Sequence, residues 1–140
     1  HGGGRRVETF VSGGRTVTMV PLDHGTFRTW LDEYTTAWET GDADAAAALF
    51  ASDATYHETP FTDPLDGRDA IRTYWAQTTA TQEATDVDTT IEAINRATGL
   101  AQFETTFVRD GSLVTVDGVL SARFVAGDCV EFREWWHRKG

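Results

Sequence analysis

Residues 56–61 read YHETPF, so a histidine and a glutamate stand side by side where a helix-forming stretch gives way to a proline-rich loop. Glu58 is the residue there with the clearest chemistry. A carboxylate walled by aromatic rings and kept from water holds its proton more tightly, which suits it to carrying a proton near neutral pH. Tyr34, far upstream, lies on the apolar side of a helix-periodic stretch. A phenol aimed into the same dry cavity can donate a hydrogen bond to a developing oxyanion. Each residue also has an ordinary reading, Glu58 as a solvated loop charge and Tyr34 as a core aromatic.

Other chemistries find less support. No glycine-rich phosphate loop follows a strand, no G-x-S-x-G elbow exists, and no histidine pair has zinc spacing. His57, Glu58 and Asp63 come nearest to a metal set, but loops of that kind ordinarily solvate their charges, so no metal and no cofactor are expected. Cys129 has no base nearby in sequence and reads as a small buried residue.

The net charge of −10, with no run of Lys or Arg longer than two, argues against nucleic-acid and anionic-membrane partners. An apolar content of 40% and an aromatic content of 11% exclude a disordered composition. The single cysteine forbids an intrachain disulfide and fits a reducing, cytoplasmic setting. No apolar run approaches the roughly 20 residues of a membrane-spanning helix.

The elements that must position Glu58 and Tyr34 follow from periodicity. Residues 1–22 read as an extension: HGGG looks like a tag or linker remnant, a possible hairpin or arm turns at Gly13-Gly14, and Met19 is available as a natural start. The domain proper is set at residues 23–138. Asp23 or Thr26 can cap a helix in which Phe27, Trp30, Leu31, Tyr34, Ala37 and Trp38 share one face, ended by Gly41. Asp42 or Asp44 opens a second, alanine-rich helix expected to close at Ser52-Asp53. A short strand, ATYHE, would put Tyr56 and Glu58 on one face and His57 on the other. After the loop TPFTDPLDG, a third helix shows Ile71, Tyr74 and Trp75 on one side. Four strands then follow, joined at turn pairs such as Asp110-Gly111 and Gly127-Asp128, with a bulge expected at Gly118. Helices first and an antiparallel meander afterwards give an α+β order.

The run SDATYHETPFTDPLDGRDAIRTYW, with the Gly41-Asp42 joint and the closing EFREWW, resembles the nuclear transport factor 2-like superfamily, and most closely its SnoaL-like members. The resemblance implies a cone-shaped domain, with a strongly curved, mostly antiparallel sheet wrapped around three N-terminal helices, a pocket at the open end and a homodimer. It is similar, more distantly, to ketosteroid isomerases, which pair a carboxylate base with a tyrosine-containing oxyanion hole. That similarity puts the base at Glu58 and the hydrogen-bonding tyrosine at Tyr34, and it places Leu120 where those enzymes keep a protonated aspartate. Trp38, Tyr56, Phe61, Trp75 and Trp135 are then expected as walls for a small apolar molecule. Two functions fit: a cofactor-independent isomerase, cyclase or dehydratase, and a non-catalytic ligand-binding or dimeric association module using the aromatic tail EFREWW, with Arg133 and Glu131 pairing across the dimer face.

Overall fold

The computed structural model describes residues 8–12 and 15–140, with side chains from Val20 onward. The HGGG segment lies outside the described residues. Strands β1 (Glu8–Ser12) and β2 (Arg15–Met19) pair antiparallel as a separate two-stranded sheet. The long helix α1 (His24–Thr40) begins where the Asp23 side chain accepts from the Thr26 amide and ends where Gly41 takes a left-handed conformation, φ 66°. Those are the residue types that such ends require. Its face of Phe27, Trp30, Leu31, Tyr34 and Ala37 is buried.

Helix α2 (Ala43–Ala47), capped by Asp42, is shorter than its alanines predict. It stops because Phe50 is drawn into the core and begins β3 (Phe50–His57), pairing with Cys129. The Phe50 carbonyl also accepts from Arg68 Nε at 2.9 Å and Arg68 Nη2 at 2.7 Å. Tertiary pairing therefore overrides local helix preference, and Ser52-Asp53 falls inside a strand rather than ending a helix. After the two-residue β4 (Leu65–Asp66) comes α3 (Arg68–Thr79), with Ile71 and Trp75 buried.

Four long strands complete the chain: β5 (Glu83–Asn95), β6 (Thr98–Arg109), β7 (Ser112–Val125) and β8 (Asp128–Lys139). The sheet order is β4-β3-β8-β7-β6-β5, antiparallel except where β3 runs parallel to β8. The result is an α+β cone in which a curved, open, mostly antiparallel sheet encloses the helices. The β6–β7 turn is Asp110-Gly111, both at positive φ, and the β7–β8 turn is Ala126-Gly127 rather than Gly127-Asp128, because Asp128 already pairs with Val125. Positive φ at both central residues matches the right-handed strand twist.

Gly118 does not mark a bulge. The ladder passes through it in register, Phe103 on one side and Trp136 on the other, and the irregularity lies between Arg123 and Phe124. The glycine is needed for a close approach: a Cβ there would lie 2.3 Å from the Trp135 carbonyl oxygen and 2.7 Å from the Trp136 Cβ. Gly118→Ala is accordingly expected to push β8 from β7 and to destabilise the fold by about 1–3 kcal/mol. Urea titration should show a lower midpoint at an unchanged slope.

Candidate functional site

The inner face of β8 is read off its alternation: Phe132 and Glu134 are buried, and Trp136 and Arg138 follow at the same parity. Glu134, Trp136 and Arg138 line a cavity of about 270 Å³ together with Trp38 from α1, Glu58 beyond β3, Tyr74 from α3, and Phe103, Phe107 and Arg109 from β6. Aromatic rings alternate there with polar side chains, Thr78 and Gln82 among them, and two carboxyl groups face it.

Glu134 is the unusual one. It is 5% exposed, and its carboxyl accepts from the Tyr34 hydroxyl at 3.1 Å and the Tyr56 hydroxyl at 3.4 Å. Burial pushes its pKa up to about 8; the Tyr34 hydrogen bond opposes this, the charge of Glu58 adds to it, and the Tyr56 hydrogen bond opposes it again. An acid removed from water with no cation beside it keeps its proton. Burial, then the charge of Glu134, likewise raises the phenols of Tyr34 and Tyr56 well above their usual value, so both remain hydrogen-bond donors.

Tyr34 is fully buried behind this carboxyl, stacked on Trp30 with ring centroids 5.7 Å apart and edge-on to Trp75 at 5.5 Å. Its hydroxyl is engaged by Glu134, so it acts on the cavity through that residue. Glu58 does line the cavity, and its aromatic companion is Tyr74, whose phenol is raised by burial first and then by the charges of Glu134 and Glu58. The structure thus brings Glu58 to Glu134 and Tyr74, not directly to Tyr34.

Among the expected walls, Trp38 lines the main cavity, its indole N–H donating to Gln82 Oε1 at 2.8 Å. Tyr56 and Trp75 border a smaller inner chamber of about 30 Å³ that also touches Glu134. Phe61 is 99% exposed and lines neither chamber. Trp135 is not a wall either: it has the outward parity on β8 and is 43% exposed. Its neighbour Trp136 takes the inward place, donating its indole N–H to the Glu58 carbonyl at 3.0 Å. Arg133 Nη2 lies 3.4 Å from Glu131 Oε2 on β8. The Cys129 thiol is buried and pushed up to about 12, chiefly by that burial, which leaves it a poor nucleophile. Among the described residues no three His, Cys, Asp or Glu side chains group to hold a metal ion.

Sequence reasoning missed Glu134, although a signal existed: counting by twos from the apolar Phe132 reaches it on the inward face. Leu120, the position that resemblance assigns to a protonated aspartate, is the direct cross-strand partner of Glu134. A protonated acid therefore stands one strand over from the place where it seemed to be missing.

A family model described as a SnoaL-like domain matches residues 31–132. No curated protein matches the chain. Among solved structures, a hypothetical protein with ketosteroid isomerase-like fold from Catenulispora acidiphila DSM 44928, in complex with trimethylamine, is similar with TM-score 0.68 and 18% identity over 76% of this chain and 83% of that one. The epoxide hydrolase/cyclase-like enzyme SalBIII, which has a role in pyran ring formation in the polyether salinomycin, is similar with TM-score 0.72 and 18% identity over 82% of this chain and 93% of that one. At such identity these likenesses establish the fold. Among the described residues, no helix is long and apolar enough to cross a membrane.

The raised pKa of Glu134 makes stability depend on pH. The folded chain binds this proton more tightly than the unfolded one, so the contribution is full below about 4.5 and is lost as pH rises through about 8. Over that window it amounts to a few kcal/mol, on the order of one for each pH unit. The melting temperature of Glu134→Gln, measured by calorimetry across the window, should fall less with rising pH than that of the parent chain.

Proposed function

The chain belongs to the SnoaL-like domain family, and from that premise we propose that it is a cofactor-independent isomerase, cyclase or dehydratase acting on a small apolar molecule, with Glu58 as base and Glu134 as acid. What supports this most is one observation: two carboxyl groups face a single aromatic cavity, and burial holds one of them protonated near neutral pH. Environments that differ this way divide a carboxyl pair into a proton acceptor and a proton donor.

In such a reaction Glu58 takes the proton from a carbon next to a carbonyl. The C–H electron pair moves toward the carbonyl oxygen, and the Glu134 O–H donates to the oxygen as its charge grows. Tyr34 and Tyr56 are positioning residues that hold the Glu134 carboxyl with its remaining donor capacity toward the cavity.

A second reading, ligand binding without turnover, draws on the neighbour that holds trimethylamine in the same fold. The homodimer that the resemblance implies would have apolar outer surface available at Trp135 and its cross-strand partner Val119, which is 40% exposed.

Screening enolisable ketones for turnover separates the two readings. Glu58→Gln should lower kcat by roughly 100- to 10,000-fold while leaving ligand affinity nearly intact. The rate should decline as pH rises past about 8, where Glu134 loses its proton. Tyr34→Phe removes a hydrogen bond that lowers the Glu134 pKa, so this alkaline limb should move upward. Turnover that ignores both substitutions would overturn the assignment of Glu58 and Glu134, and binding with no turnover of any ketone would leave the binding reading in place.

A further inference from the structure

Two guanidinium groups, Arg109 and Arg138, line the same cavity as the carboxyl pair, yet the proton transfers use neither. Several other arginines have acid partners: Arg28 meets Asp32, Arg72 meets Asp44 and Asp69, and Arg123 and Arg133 both reach Glu131. Among the described residues Arg109 and Arg138 have no such partner. In a chain with net charge −10, two cations left unpaired in one cavity run against the composition.

Arg109 is the better placed of the two. Its Nε is buried without a hydrogen-bond partner, and its guanidinium carbon lies 5.1 Å from the centroid of the Phe107 ring. Packing on that ring limits the rotation of the planar group, and a buried N–H without an acceptor is costly to leave unmatched. A carboxylate is the acceptor whose shape fits a guanidinium best.

The strand register separates Arg138 from Glu134. Glu134 pairs with Leu120 and Arg138 with Val116, four residues farther along β8, or about 13 Å at strand spacing. Phe103, Phe107 and Trp136 contribute the apolar lining. Along β8 the cavity is therefore polarised, with Glu134 and Arg138 displaced from one another.

We propose that the occupant is an amphiphilic anion, an apolar body about the size of one or two rings bearing a carboxylate, which Arg109 and Arg138 bind while the opposite end reaches Glu58 and Glu134. The placement of that reacting end rests on the proposed function; the preference for an anion does not require turnover.

Isothermal titration calorimetry with 2-naphthoate and its neutral isostere 2-naphthamide tests this directly. The acid should bind at least about 10-fold more tightly than the amide, and the difference should shrink as salt is raised. Arg109→Gln and Arg138→Gln should each reduce the acid's affinity about 10-fold and the amide's by much less, while Arg109→Lys keeps part of the preference. Arg138 is exposed, so its substitution keeps the test open if the Arg109 variants melt early. Equal binding of acid and amide, or a preference that survives both glutamine variants, overturns the anion assignment and leaves the cavity reading standing. Binding of neither probe overturns both together. Loss of turnover in Glu58→Gln with the anion preference retained supports each separately.

Discussion

The structure turns on a carboxyl group, Glu134, taken out of water with no ion-pair partner among the described residues. An ionised, unpaired carboxylate in such a place costs several kcal/mol, more than two ordinary hydrogen bonds return at about 1 kcal/mol each. Neutralisation is the cheaper outcome, and the pKa of Glu134 moves to about 8 accordingly. Tyr34 and Tyr56, which donate to its two oxygens, then fix how the group is held. Their rings are anchored in turn: Tyr34 packs on Trp30 and Trp75, and Tyr56 stacks on Phe132 at 4.8 Å. The aromatic floor of the core is thus also the support of the acid.

Register preserves that arrangement. The β7–β8 ladder runs unbroken from Thr115↔Lys139 to Arg123↔Glu131, so Glu134, Trp136 and Arg138 keep one parity. A slip of one residue would turn all three outward and bring Trp135 in. Gly118 permits the close approach that this ladder needs, and the irregularity after Arg123 falls beyond the site. Helix α1 supplies the other half of the support, because its capped start and glycine stop fix which residues face the sheet.

Much of this was legible in the amino-acid order. The spacing of Phe27, Trp30, Tyr34 and Ala37 fixes a buried helical stripe, Asp23 and Gly41 carry its boundaries, and the alternation of residues 101–107 marks a half-buried strand. These signals are local, since cap chemistry and periodicity act within a few residues. Glu58 was visible because its neighbours, Tyr56 and the proline-rich loop, lie beside it in sequence.

What the sequence by itself determined, then, is the three helices, the order of the long strands and one of the two cavity carboxyls, while the short β4 inside the expected loop TPFTDPLDG forms only by pairing with β3. The tertiary structure alone decided that Tyr34 serves Glu134 rather than Glu58, that Phe61 points to solvent, that Trp136 and not Trp135 faces inward, and that α2 yields to a strand at Phe50. Each of these depends on partners distant in the chain: Glu134 lies 100 residues from Tyr34, and Phe50 pairs with Cys129. Burial and pairing across such separations are set by the packed whole, and no short stretch of residues encodes them.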